Sequence, residues 1–457
     1  MLTSTRTKSV TACNRRTFLS LSSAAVLGWS LRASASRGPS QGLSPNEKLI
    51  MAHIGACGKG AQDIQGCRSQ NITAICDVDE RRATPAWRAF PKARRYVDFR
   101  KMLEKEKGVD AVVISIPDHM HYAAAMTAIS LGKHVFVQKP LCATIQETRA
   151  LTEAARRAGV ATQMGIQYHC SDSIRVLCEM IWSGAIGKIH EVHIWTNRPE
   201  WPQGIRHWLP AVVCRRSLHW NLWLGVARRR PYNPGYAPGK WRGWWDFGTC
   251  ALGDMGCHLM EPAYWALKLG PPSSVEVVTQ RGRNKHTGPL SSILKFEFPQ
   301  RGHLVPVTLY WYDGGELPAR PEGISLSVRL GEKKDGKNGT LFIGEKGIIT
   351  CGKYGAKDPR LIPDELMADY QLPTPSLRRI PGGRDGHYED WFRACRGERP
   401  AGATFDYSGP FTEAVLLGNV ALRCGGRMEW DAQNMRVTNC PEANQYLTRH
   451  YRKGWRI

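Results

Sequence analysis

The chain is predicted to be an α/β protein, with a doubly wound parallel sheet in the N-terminal part and a second α/β domain whose sheet is open and largely antiparallel. Three observations carry this. At 457 residues the chain is too long for one ordinary core and suits two packed domains. Apolar strand-like runs alternate with helical stretches over residues 49–164, the pattern of βαβ units. Beyond about residue 166 the runs lengthen and alternate apolar with polar, as strands with one solvated face do.

The elements follow in order. Strands are expected at 49–54, 72–76, 111–116, 135–137 and 161–164. Thr144 followed three residues later by Glu147 is a capping box; it opens a helix that runs to about Ala158 and closes at Gly159. The later strands are expected at 191–196, 274–281, 291–298, 304–312 and 325–330, and a further helix at 411–423. Between 197 and 248 lies a Trp-, Arg- and Pro-rich stretch too long to be a passive connection.

The first 35 residues carry Arg6, Lys8, Arg15, Arg16 and Arg32 and no acid. Asn14-Arg15-Arg16-Thr17-Phe18-Leu19, a mildly apolar run to Leu31 and Ala33-Ser34-Ala35 resemble a twin-arginine export signal, which places the mature protein in the periplasm or otherwise outside the cytoplasm. The 15 residues between Arg16 and Arg32 fall short of the ~20 that span a bilayer, so no stable membrane span is expected. The organisation reads as signal peptide 1–35, linker 36–47, a first domain with the parallel sheet at 48–165 and a C-terminal domain at 166–457.

Hydrophobic residues at 42% and charged residues at 23% exclude wholesale disorder and a multi-span membrane protein. The net charge of +23 comes with no lysine-rich tail and no zinc-finger spacing, so it reads as an arginine-rich surface and not as a nucleic-acid interface. The fourteen cysteines form no C-x-x-C pair, and most read as small buried apolar residues. Cys250, Cys257 and His258 match no usual zinc spacing, so no metal is expected.

The first strand runs into Gly55-Ala56-Cys57-Gly58-Lys59-Gly60, and the second ends at Asp77, 22 residues after Gly55. That is the layout of a dinucleotide turn: Gly55 for the bend, the next positions for close approach of backbone N–H groups to a pyrophosphate, Gly60 for helix–strand packing. Cys57 stands where the second glycine of that pattern belongs, so either Gly58 takes over the close approach or the phosphate sits slightly displaced. Asp77 would accept ribose hydroxyls and repel a 2′-phosphate, which favours NAD over NADP; Arg81 and Arg82 blur the choice.

Pro117-Asp118-His119-Met120-His121, the run Gly132 to Leu141 with Gln138-Lys139-Pro140, and Gly253-Asp254-Met255-Gly256-Cys257-His258 together resemble the Gfo/Idh/MocA oxidoreductases, and specifically a twin-arginine-exported bacterial branch of that family. The resemblance covers nearly the whole mature chain. It implies a Rossmann domain, a C-terminal α/β domain, a carbohydrate site at their junction and a homo-oligomer. It also implies that Pro117, His121, Gln138 and Lys139 face the cofactor and that Lys139 sits beside nicotinamide and substrate. The family motif reads Glu-Lys-Pro, and Gln138 replaces its glutamate. Pro140 is a candidate for a cis bond.

Asp254 and His258 stand four apart, one face of a helix, which suits a carboxylate orienting a catalytic imidazole; the alternative is a capping aspartate and a core histidine. An unperturbed lysine at ~10.4 needs ~4 kcal/mol of perturbation to act as a base near neutrality, whereas a histidine at ~6.5 needs almost none. His258 is therefore the expected general base and Lys139 a polarising donor or proton relay. Nine of the sixteen tryptophans fall between 195 and 265, read as sugar platforms or as packing. Arg198, Trp201, Arg206 and Trp241, with Gln163, Tyr168 and His169 just past the last strand of the first sheet, complete the expected substrate site.

Export implies a cofactor that stays bound and is recycled in each turnover, because no nicotinamide pool is maintained outside the cytoplasm. The expected activity is oxidation or reduction of a sugar CH–OH. An NAD-dependent glycosidase working through transient oxidation, elimination and water addition is the first alternative. A non-catalytic NAD-binding protein, favoured by Gln138 and Cys57, is the second.

Overall fold

The computed structural model describes residues 47–332, 336–352 and 354–455. The expected leader 1–35, and the linker 36–47 apart from Glu47, lie outside the described residues. Residues 49–457 group as one unit by their internal contacts.

Six strands form the first sheet: β1 (Ile50–Ile54), β2 (Asn71–Cys76), β3 (Arg94–Tyr96), β4 (Ala111–Ile114), β5 (His134–Val137) and β6 (Thr162–Met164). Their order is β3-β2-β1-β4-β5-β6 and every ladder is parallel, the doubly wound arrangement with its chain reversal between β1 and β4. All four residues of β4 are buried, as a central strand covered on both faces requires. β3 was not expected from the sequence, because Arg94-Arg95-Tyr96 is a short polar edge with no apolar run. The capping box forms as expected: Thr144 accepts from the Glu147 amide, the helix Ile145–Ala158 follows, and Gly159 ends it at φ 64°.

The second sheet has nine strands: β7 (Ile189–Trp195), β8 (Ser274–Arg281), β9 (Ser291–Phe298), β10 (Val307–Asp313), β11 (Gly339–Gly344), β12 (Gly347–Cys351), β13 (Arg360–Ile362), β14 (Arg427–Asp431) and β15 (Arg436–Val437). The order is β13-β12-β11-β7-β10-β9-β8-β14-β15, and only β7 with β10 runs parallel. Two expectations are corrected. Residues 325–330 form no strand, because the Ser325 and Ser327 hydroxyls bond one another and the Val328 amide turns back to the Ser325 carbonyl. The strand expected from 304 begins at Val307, because Leu304 pairs with Arg301 in a tight turn and Pro306 intervenes.

Residues 197–248 fold around a small core of their own, with Leu218, Trp223, Tyr236, Trp244 and Phe247 buried together. The stretch leads into the helix Cys250–Leu259, which packs on the long helix Phe405–Cys424. Close approach there depends on Gly418, where a Cβ would sit 2.4 Å from Leu252 Cδ2. This places Asp254 and His258 beside the ends of the parallel strands.

Candidate active site

The ends of β1, β2, β4 and β5 meet the segment 237–242 and the helix Cys250–Leu259 around a cleft of about 250 Å³. Gly55, Cys57, Gly58 and Asp77 line one end of it; Pro117, Gln138, Lys139, Trp241 and Asp254 line the other.

The turn after β1 is built by three glycines with different tasks. Gly55, at φ +95°, would bring a Cβ within 2.2 Å of the Ser115 carbonyl oxygen, and a Cβ on Gly60 would stand 2.4 Å from the Gly55 carbonyl oxygen. Gly58 has φ +58° and open space where a Cβ would point. Cys57 turns its thiol to Asp77 Oδ2, at 3.4 Å, and burial pushes that thiol far up. Asp77 Oδ2 also accepts from the Ala56 amide at 2.8 Å, and Oδ1 from the Asp79 amide at 2.9 Å, so the carboxylate shapes the turn as well as lining the cleft. Its burial, only partly offset by these bonds, raises its pKa. The two packing glycines and the open face at Gly58 fit a dinucleotide pyrophosphate, and Asp77 fits a ribose.

Behind the turn lies a group the sequence reading missed. Asp63 is fully buried and accepts from Ser115 Oγ at 2.6 Å, Tyr388 Oη at 2.7 Å, Gln138 Nε2 at 2.9 Å and Lys59 Nζ at 2.5 Å. This accounts for Gln138. A glutamate there would set a second carboxylate against Asp63, whereas the amide donates to it. Lys59 lies between two glycines of the turn, yet its partner Tyr388 is more than 300 residues away, and no local signal joins them.

The Lys139–Pro140 bond is cis, as the sequence reading anticipated. Lys139 Nζ donates to both the carbonyl and Oδ1 of Asp254, each at 2.7 Å, and Arg242 Nε reaches the same Oδ1 at 3.1 Å. Burial alone would raise Asp254; the Lys139 and Arg242 cations outweigh it and hold the carboxyl well below its usual range. The expected Asp254–His258 pair does not form. Asp254 is taken by the two cations, and among the described residues His258 Nδ1 is buried with no hydrogen-bond partner. Burial, reinforced by Lys139, lowers His258 to about 3, which removes the low cost on which its choice as base rested. Its ring stands edge-on to Tyr168 and Tyr354, at centroid distances of 6.1 and 5.6 Å, with the Arg384 guanidinium 5.9 Å from the Tyr168 ring.

Other expected site residues divide. Trp241 lines the cleft and Trp201 approaches it through Arg242, whose guanidinium lies 4.4 and 5.7 Å from the two rings. His121 is buried between the Ile116 and Pro140 carbonyls, both at 2.8 Å, and fixes two strand-end loops without lining the cleft. Gln163 bonds the His387 carbonyl at 2.6 Å and the Ala403 amide at 3.4 Å, and His169 is held by Glu261 at 2.8 Å and stacked on Trp265. Both are therefore spent on packing. Arg198 pairs with Glu200 and Arg206 is exposed, and neither lines the cleft. Trp195, Trp223, Trp244 and Trp245 are buried, so much of the tryptophan cluster is packing. Among the described residues no group of three His, Cys, Asp or Glu is placed to hold a metal.

Two family models match the chain: an oxidoreductase family, NAD-binding Rossmann fold, over residues 52–166, and an oxidoreductase family C-terminal alpha/beta domain over 185–298. A levoglucosan dehydrogenase from Pseudarthrobacter phenanthrenivorans is 27% identical over 209 residues, 45% of this chain and 44% of that protein. A D-apiose dehydrogenase from Paraburkholderia graminis is 32% identical over 126 residues, 28% of this chain and 32% of that protein. The chain thus spans less than half the length of these curated relatives. Among solved structures, the WlbA dehydrogenase of Bordetella pertussis in complex with NADH and UDP-GlcNAcA superposes with TM-score 0.57 at 16% identity, covering 84% of this chain and 99% of that one. GenD2 from gentamicin A biosynthesis in complex with NAD gives TM-score 0.57 at 18% identity, covering 87% and 100%. With the glycine turn, the Gln-Lys-Pro strand end and the helix Cys250–Leu259 meeting at one cleft, the chain belongs to the Gfo/Idh/MocA oxidoreductases and carries their NAD-binding Rossmann fold.

Proposed function

We propose that this protein oxidises or reduces a CH–OH carbon of a sugar or sugar derivative, using NAD that stays bound and is restored within each turnover. The observation that carries the reading is the Lys139 ammonium, held by Asp254 in the same cleft as the glycine turn. The names of the relatives, levoglucosan, D-apiose and inositol 2-dehydrogenases, support a carbohydrate alcohol as substrate. The closed cofactor cycle rests on the twin-arginine leader read in residues 1–35, and the preference for NAD over NADP on the Asp77 carboxylate.

NAD, when bound, supplies the hydride acceptor or donor. The protein's part is binding, orientation and the proton. Asp77 and the amides of the turn hold the dinucleotide. Lys139 has three ammonium hydrogens, of which Asp254 takes two; the third is left for the substrate oxygen, where it stabilises negative charge as the O–H proton departs. His258, lowered to about 3 by burial, is neutral throughout the physiological range and a poor acceptor for that proton, which Lys139 relays toward solvent. Its weak basicity makes the Lys139 charge the larger contribution. Trp241 and Trp201, beside Arg242, offer broad apolar faces with polar edges that suit a sugar ring.

The test is to measure NAD in the purified, folded chain by mass spectrometry and then to present a panel of sugars and nitrophenyl glycosides in deuterated water. Reduced nicotinamide appearing with one sugar and discharged by a second supports the proposal. Deuterium incorporated at a ring carbon together with glycoside cleavage replaces it with elimination chemistry, and retained NAD with no reaction on any sugar replaces it with a binding role.

A further inference from the structure

The segment 245–249 that feeds the helix Cys250–Leu259 also helps wall a second cavity, of about 570 Å³. Its other walls are the C-terminal half of the helix Phe405–Cys424, the start of the helix Ile145–Ala158 and the chain around 445–450. Nothing in the proposed reaction uses it. The wall is strongly one-sided in charge: Arg228, Lys285, Arg423 and Arg449 face one carboxylate, Asp246, which is already ion-paired with Arg230.

Arg423 is the informative group. Its guanidinium lies 3.9 Å from the Tyr446 ring and 5.5 Å from Trp245, and among the described residues it has neither an ion pair nor a hydrogen bond. A guanidinium carries five donors in a rigid fork, and burying it without a counter-charge is unfavourable, as its lowered pKa reflects. Arg449 is committed only in part, to the His119 and Asp246 carbonyls at 3.3 Å and to Glu147 at 4.0 Å. Two lining residues hold a buried ring nitrogen with no partner, Trp245 Nε1, which can only donate, and His286 Nδ1, which donates in one tautomer. The start of the helix Ile145–Ala158 adds the positive end of its dipole.

We propose that this cavity binds a small oxyanion, a phosphate, sulfate or carboxylate, either free or carried on a sugar. The volume lies in the range of small-molecule sites and exceeds what a bare phosphate fills, so it admits a sugar-sized carrier. The Arg423 fork supplies planar, bidentate recognition of the oxyanion, with Lys285 and Arg228 at the exposed side as attracting charges. An occupant would also touch Thr249, whose hydroxyl donates to Asp118 of the NAD cleft at 2.7 Å, so the two cavities share a wall.

Isothermal titration of the full chain, saturated with NAD so that the glycine turn is filled, tests this at constant ionic strength with sodium phosphate, sodium sulfate, glucuronate and glucose 6-phosphate, and with glucose as the neutral control. The expected result is saturable 1:1 binding of at least one anion and none of glucose. Phosphate alone as the ligand identifies a free ion, and tighter binding of the acidic sugars identifies a carrier. Arg423→Met is expected to weaken binding by at least ~10-fold, and Arg228→Ala with Lys285→Ala by ~3-fold or more, both with unchanged NAD affinity. The double surface variant decides if Arg423→Met does not fold. No saturable binding up to about 10 mM anion, equal binding of glucose, or binding indifferent to the variants would overturn the proposal.

Discussion

Lys139, Gln138 and His258 illustrate how charge is arranged around the cleft. Removing the ammonium in Lys139→Met takes away stabilisation of the developing alkoxide while leaving the glycine turn untouched. The expectation is a fall in kcat of roughly 100-fold or more, with NAD affinity changed only a few-fold, read by steady-state kinetics and cofactor titration. Gln138→Glu restores the family's usual residue but sets it against buried Asp63. The new carboxyl would have a raised pKa, so the folded state holds a proton that the unfolded state releases. The loss of stability, on the order of 2 kcal/mol, is therefore larger at pH 8 than at pH 5.5, and Asp63→Asn in the same chain should recover most of it. Urea denaturation at the two pH values measures both. For His258, lowered to about 3 by burial and by Lys139, the neutral form persists down to acid pH. The acid limb of kcat should thus be absent between pH 5 and 7, and an inflection near 6.5 that vanishes in His258→Gln would contradict the buried, neutral imidazole.

At the scale of elements, the turn between β1 and the helix Lys59–Gly66 shows which glycines are tied to packing and which to backbone conformation. Gly55→Ala drives a Cβ into the backbone of Ser115 at a positive φ, with no flexible side chain to yield. It should cost about 3 kcal/mol or more and abolish NAD binding. Gly58→Ala meets open space but sits at φ 58°, ψ −116°, outside the left-handed helical well, at a backbone cost on the order of 2–3 kcal/mol, and its methyl group points where a pyrophosphate would lie. That variant should fold and lose NAD affinity, so thermal denaturation and cofactor titration separate the two. The elements of the first sheet were largely legible because buried parallel strands are continuous apolar runs bounded by glycine. β3, β13 and β15 were not, because two- or three-residue edge strands leave no periodic mark. The hairpin β11–β12 was missed for another reason: the alternation at 325–330 looked more strand-like than Gly339–Gly344, and serine hydroxyls settled the competition locally.

At the scale of the molecule, three histidines outside the cleft are buried neutral: His53 and His387 are lowered to about 4 and His119 to about 3, in each case chiefly by burial. An unfolded histidine takes up a proton near 6.5, and these do so only far below. Their contribution to stability is full above 6.5 and is lost as the pH falls toward 4 and 3, on the order of 3 kcal/mol apiece. Folding free energy should decline progressively below pH 6.5, and His53→Gln should flatten that decline. A net charge of +23, growing as histidines protonate, acts in the same direction.

The sequence alone determined five strands of the first sheet, the strands β7 to β10, the dinucleotide turn, Asp77, the Lys139–Pro140 motif and the helical spacing of Asp254 and His258, because each is a local pattern of spacing and residue type. Only the tertiary structure decided the partners. Asp254 faces Lys139 and Arg242 and not His258, Asp63 gathers groups from four separate segments, and Gln163 and His169 are used in packing. Periodicity places a side chain on a face, but which charge it meets and how much water is excluded around it depend on chain segments hundreds of residues apart. Those two quantities set the protonation of the cleft.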